Sequence, residues 1–105
     1  YFFTIIPVTN IFHDIIIIFM DINNLIAIVK KKLNNEIVIE TISVEDKSFL
    51  HKNHPGNQKN KYHLKIVLNS KELKKMNRIE SNKKIYKILN EELNLYIHSL
   101  QILIY

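Results

Sequence analysis

An α+β fold, with a three-stranded sheet packed on one face by helices in the order αββααβ, is predicted by three observations. Apolar residues recur at helical spacing from Asp21. Three later runs are β-branched or strictly alternating, and the last two are separated by a stretch with helix-start and helix-period signals.

The first helix carries Ile22, Leu25, Ile26, Val29 and Leu33 at i, i+3, i+4, i+7 and i+11. Asp21 stands near its start and Lys30, Lys31 and Lys32 in its last turns, where the macrodipole favours cations. Asn34 and Asn35 are expected to end it. The next residues, EIVIETISV from Glu36 to Val44, are β-branched and short enough for a strand. A polar segment follows from Glu45 to Lys61, containing His51, His54, Pro55 and Gly56, and its second half reads as a loop. Loops of that length in a small domain are usually functional or mobile.

From Tyr62 to Leu68 the chain alternates, which places Tyr62, Leu64, Ile66 and Leu68 inward and His63, Lys65 and Val67 outward. Ser70 is the expected N-cap of a short helix with Leu73 and Met76. After a break at Asn77 to Ser81, one more helix carries Ile85, Ile88, Leu89 and Leu93 and closes at Asn94. A final strand runs from His98 to Tyr105, with Leu100, Ile102 and Ile104 on one face. The predicted core unites Leu64, Ile66, Ile85, Leu89, Leu100 and Ile102, and Tyr62, Tyr86 and Tyr96 are expected as core or boundary aromatics.

The 105 residues suffice for one small domain. Residues 1–19 are apolar and contain no basic residue. Pro7, Asn10, His13 and Asp14 interrupt what would otherwise suit a membrane span, and the cationic start of a secretory signal is missing. Because Met20 directly precedes the first periodic helix, residues 1–19 are expected to be an extension and residues 20–105 the domain.

Charge is uneven. Lys47 to Lys87 holds 12 basic residues against only Glu72 and Glu80, while the rest of the chain is acidic on balance. Such a segment is most simply a solvated face, and alternatively a surface for an anionic partner such as nucleic acid. Ile, Lys and Asn make up 47 of the 105 residues, a bias that favours the solvated reading.

No catalytic arrangement is legible. Ser48 and His51 have no evident orienting acid, Glu91 and Glu92 are adjacent on a helix and expected to point apart, and Gly56 alone cannot build a phosphate loop. The chain is therefore not expected to be an enzyme. Zero cysteines exclude disulfides, thiol catalysis and any cluster held by this chain's own thiolates. Histidine nitrogen is what such a chain can offer a transition metal. His98 begins the last strand, His51 and His54 lie on the long loop, and His63 is on the second strand.

Four segments, in order, make Asp21 to Tyr105 resemble the BolA-like proteins. IHSLQILIY at residues 97–105 is similar to the family's His-Ala-Leu and final strand, with Ser99 where Ala is usual. DKSFLH at 46–51 resembles its acidic-x-Ser-x-x-His, YHLKIVLNS at 62–70 its Ser/Thr-His-Phe-Lys-Val strand, and NEEL at 90–93 its helix end. Ser81, Asn82 and Lys83 replace the frequent Arg-His-Arg, and Phe-Glu-Gly after the second strand is missing.

The resemblance implies a fold related to the K-homology type II fold and an adaptor role. The partner is then a monothiol glutaredoxin, and the two proteins share a 2Fe-2S cluster with glutathione; the isolated chain is a monomer holding none. The implied ligands are His98 with His51 or His63, and the setting is iron–sulfur cluster assembly or iron and redox regulation. A bacterial cytoplasm or a eukaryotic mitochondrion is the implied location, with no membrane partner. Some bacterial members are DNA-binding regulators. Since the Gly-x-x-Gly loop of K-homology domains is absent, nucleic-acid contact falls to Lys71, Lys74, Lys75, Lys83, Lys84 and Lys87.

Overall fold

The computed structural model describes residues 20–48 and 61–105. Expectations for residues 1–19 and for the long loop, including His51 and His54, lie outside the described residues. The elements are α1 (Ile22–Glu36), β1 (Thr41–Asp46), β2 (Tyr62–Asn69), α2 (Lys71–Lys74), α3 (Arg78–Ile88), α4 (Asn90–Leu95) and β3 (Ile97–Ile104).

Asp21 caps α1 by accepting the Asn24 amide at 2.8 Å. This helix runs through Asn34 and Asn35, and Ile37 ends it with its amide on Leu33 O at 2.9 Å. The first strand therefore starts at Thr41 rather than Glu36. Residues 37–40 are held as a connector because side chains claim their backbone: Val38 N–H donates to Glu72 Oε1 at 3.1 Å, and Val38 O accepts the Ser70 hydroxyl at 2.8 Å. Strand pairing then begins with Glu40 N–H on Asn69 O.

The sheet order is β1-β2-β3, with β1 antiparallel and β3 parallel to the central β2. A parallel return needs a long crossover, which α2, α3 and α4 provide. Ser70 caps α2 through the Leu73 amide at 3.2 Å, and Asn77 caps α3 through the Glu80 amide at 2.8 Å. Ser81 is thus a buried helical residue and not part of a break. The expected last helix is two pieces. At Leu89 (φ −96°, ψ 17°) the backbone leaves helical geometry, yet Leu89 N–H still reaches Ile85 O and Leu93 N–H reaches Leu89 O, so these two hydrogen bonds are kept at the junction.

Leu25, Val29 and Leu33 of α1 join Leu64, Ile66 and Leu68 of β2, Leu73, Ile85 and Leu89 in one buried cluster. Leu100, Ile102 and Ile104 of β3 are half-buried against it. α1 packs on β1 and on α3, and α4 packs on β3. Tyr96 is buried and Tyr62 half-buried, but Tyr86 is exposed, its hydroxyl 3.4 Å from Leu100 O. Tyr62 ties the chain before α1 to the sheet by donating to Met20 O at 3.1 Å, and burial pushes its phenol above the ordinary range.

Candidate functional site

The start of β3 is built by a local irregularity. Tyr62 N–H donates to Tyr96 O at 2.8 Å, and buried Ile97 pairs with Tyr62. The next register pair is His63 with Ser99, so β3 advances two residues while β2 advances one, and His98 is the extra residue of a bulge. In a regular strand His98 would share the inward face of Leu100. The bulge re-aims it, and its side chain is exposed.

His63 occupies the opposite situation. Its place on the outward face of β2 predicts exposure, yet it is 5% exposed. Its backbone is clamped by the segment leaving β1, since His63 N–H donates to Ser48 Oγ at 3.0 Å and His63 O accepts the Lys47 amide at 2.7 Å. Ser48 is itself oriented by its amide on Asp46 Oδ1 at 2.9 Å. On the ring, Nδ1 lies 2.7 Å from Ser99 Oγ, and the ring centroid is 5.0 Å from that of His98 at an interplanar angle of 66°.

Two of the three candidate ligands are therefore neighbours, one exposed and one buried, while His51 lies outside the described residues. Sequence reasoning missed Ser99 and Ser48 as members of this cluster. Ser48 was visible within DKSFLH, but only the register across β2 and β3 shows what Ser99 touches.

Lys83, Lys84 and Lys87 line a groove of about 890 Å³ between α1 and α3, over Met76 and Ile88. Lys71, Lys74 and Lys75 are exposed and do not line it. Lys84 is already engaged by Glu72 Oε2 at 2.6 Å. Together with the Val38 amide, that ammonium holds the Glu72 carboxyl below its ordinary range. On the groove's other wall Lys32 meets Glu92 at 2.5 Å and Glu91 at 3.6 Å. The adjacent carboxylates, expected to point apart, thus converge on one cation and tie α1 to α4. The hydrogen bond that Lys32 donates to the Glu92 carboxylate raises its ammonium above the ordinary range.

Among the described residues, no helix is long and apolar enough to cross a membrane. The family profile of the BolA-like proteins matches residues 33–105. The DNA-binding transcriptional regulator BolA of Haemophilus influenzae is 33% identical over 73 residues, covering 70% of this chain and 68% of that protein. Among solved structures, BolA1 from Arabidopsis thaliana superposes with a TM-score of 0.64 at 27% identity, and the BolA domain of SufE1 from the same plant with 0.63 at 25%. Each comparison covers 75% of this chain and 87% of the other. A bol-like protein from Babesia bovis shares the fold, with a TM-score of 0.60 at 13% identity over 75% of this chain and 80% of that one. With the αββ-helical-β order, the parallel last strand and a family match over more than half its length, this chain belongs to the BolA family.

Proposed function

We propose that this protein is an adaptor that pairs with a monothiol glutaredoxin and shares a 2Fe-2S cluster with it and with glutathione. His98 is the principal ligand, and His51 or His63 the second. The observation that carries this reading is the exposed imidazole of His98, lifted out of the β3 alternation by a bulge, in a chain without a single thiol.

His98 fits the group. Neutral imidazole is an accepted nitrogen donor where thiolate is lacking. A ligand shared with a second protein has to stand at the surface, as His98 does. Mixed ligation of this kind raises the reduction potential relative to an all-thiolate site. Within this chain, β3 supplies the rigid backbone, Ser48 and Lys47 fix the neighbouring strand, and the ring nitrogens must be unprotonated to ligate, so assembly weakens on acidification.

The test is reconstitution of the full chain with a glutathione-loaded monothiol glutaredoxin, followed by visible absorption and circular dichroism. His98→Ala is expected to abolish the heterodimer's spectrum without unfolding the chain. An unchanged spectrum at matched protein and cluster concentrations refutes the ligand assignment, even if the two proteins still associate.

A second reading, nucleic-acid binding, is supported by the Haemophilus influenzae relative named as a DNA-binding regulator and by the exposed lysines of α2 and α3. It ranks lower because Lys84 is committed to Glu72 and the groove also holds Glu36 and Glu80.

A further inference from the structure

His98 and His63 differ in what they can do. A side chain that meets a second protein must be reachable, and His63 is 5% exposed whereas His98 is exposed. His63 is also fastened at several points. Its amide and carbonyl are bound by Ser48 and Lys47, and its Nδ1 lies 2.7 Å from the hydroxyl of its cross-strand partner Ser99. That contact crosses the parallel pairing of β2 and β3 directly beside the bulge. The ring so held lies edge-on to His98, with centroids 5.0 Å apart and planes at 66°, within the favourable range for aromatic pairs.

An exposed residue on a bulge is otherwise free at two side-chain torsions, and ordering it on binding costs entropy. A fixed neighbouring ring removes part of that freedom beforehand. We propose that Ser99 and His63 brace His98: the Ser99 hydroxyl pins the His63 ring, and the edge of that ring holds the His98 imidazole in the orientation it presents to the partner. His63 is then a positioning residue and not a ligand. This rests on the glutaredoxin reading above and deepens it. The brace holds for either direction of the Ser99–His63 hydrogen bond.

Two measurements test it. In the free, isotope-labelled full chain, at a pH well above the ordinary imidazole range, Ser99→Ala should shift the His63 ring-nitrogen resonances and weaken the cross-peaks between the two rings. Ser99→Thr, which keeps the hydroxyl, should restore both. Unchanged His98 ring signals in Ser99→Ala overturn the brace whatever happens with any partner.

In the reduced heterodimer, Ser99→Ala should hold the cluster about 10- to 100-fold more weakly, the usual effect of losing an outer-shell contact, while keeping the wild-type spectrum. There, His63→Phe, which retains a ring edge, should leave the number of strongly coupled histidine nitrogens in pulsed paramagnetic resonance unchanged. Loss of one coupled nitrogen makes His63 a ligand and refutes its positioning role. If the wild-type heterodimer shows no histidine coupling, the cluster reading falls instead, and the free-chain spectra still decide whether Ser99 holds the two rings.

Discussion

Ser70 is completely buried and makes two hydrogen bonds that belong to different parts of the fold. Its oxygen accepts the Leu73 amide at 3.2 Å, capping α2, and its hydroxyl proton goes to Val38 O at 2.8 Å, closing the connector between α1 and β1. Ser70→Ala removes both. Loss of a helix cap costs about 1 kcal/mol, and a carbonyl left without its partner in a partly buried setting costs about 1 kcal/mol or more. The side chain of Val38 is 72% exposed, so water reaches this region and the lower end applies. The sum is about 2 kcal/mol. Asp21→Ala supplies the control, because Asp21 caps α1 from an exposed position and has no such second role. Its cost should stay near 1 kcal/mol. Urea unfolding followed by far-ultraviolet circular dichroism measures both. If Ser70→Ala costs no more than Asp21→Ala, the Val38 bond contributes nothing, and the account of why the chain stays out of the sheet until Thr41 is refuted.

Leu89→Ala, at a fully buried position of the junction between α3 and α4, should cost about 2–5 kcal/mol. Ile79→Ala, at a site 67% exposed, should stay within about 0.5 kcal/mol, and a similar result at Leu89 would mean that the packed face is wrongly assigned. Glu72 has its folded pKa below the ordinary value of 4.5, so its contribution to stability is present above that value and lost as pH falls through the folded one. Glu72→Gln should therefore narrow the difference in urea midpoint between neutral and acidic pH, and an identical acid profile in the variant counts against the Lys84 and Val38 contacts. Any nucleic-acid binding should fade as salt rises from about 50 to about 200 mM, and joint substitution of Lys83 and Lys87 should weaken it across all sequences. A salt-resistant complex with one preferred sequence would reverse the order of the two functional readings.

Several features were legible in the residues alone because they depend on local chemistry. Helical spacing from Ile22 to Leu33, the cap at Ser70, and the alternation of β2 are short-range patterns that the backbone reads directly, and they located the elements and most of the core. Four short motifs in order sufficed to suggest the family. The start of β1 was not legible, since Val38 and Ile39 are strand formers by propensity and are kept out of the sheet by Ser70 and Glu72, more than thirty residues away. The convergence of Glu91 and Glu92 on Lys32 likewise needs α1 and α4 to be brought together first. At the site, the sequence determined that histidines, and no cysteines, stand on β2 and at the head of β3. Which of them faces solvent was decided by tertiary structure. A one-residue bulge opposite Tyr62 and His63 turns His98 outward, while Ser48 and Ser99 hold His63 in place. The bulge and the contacts around it exist only once β2 and β3, far apart in sequence, have paired, so no single segment carries their signal.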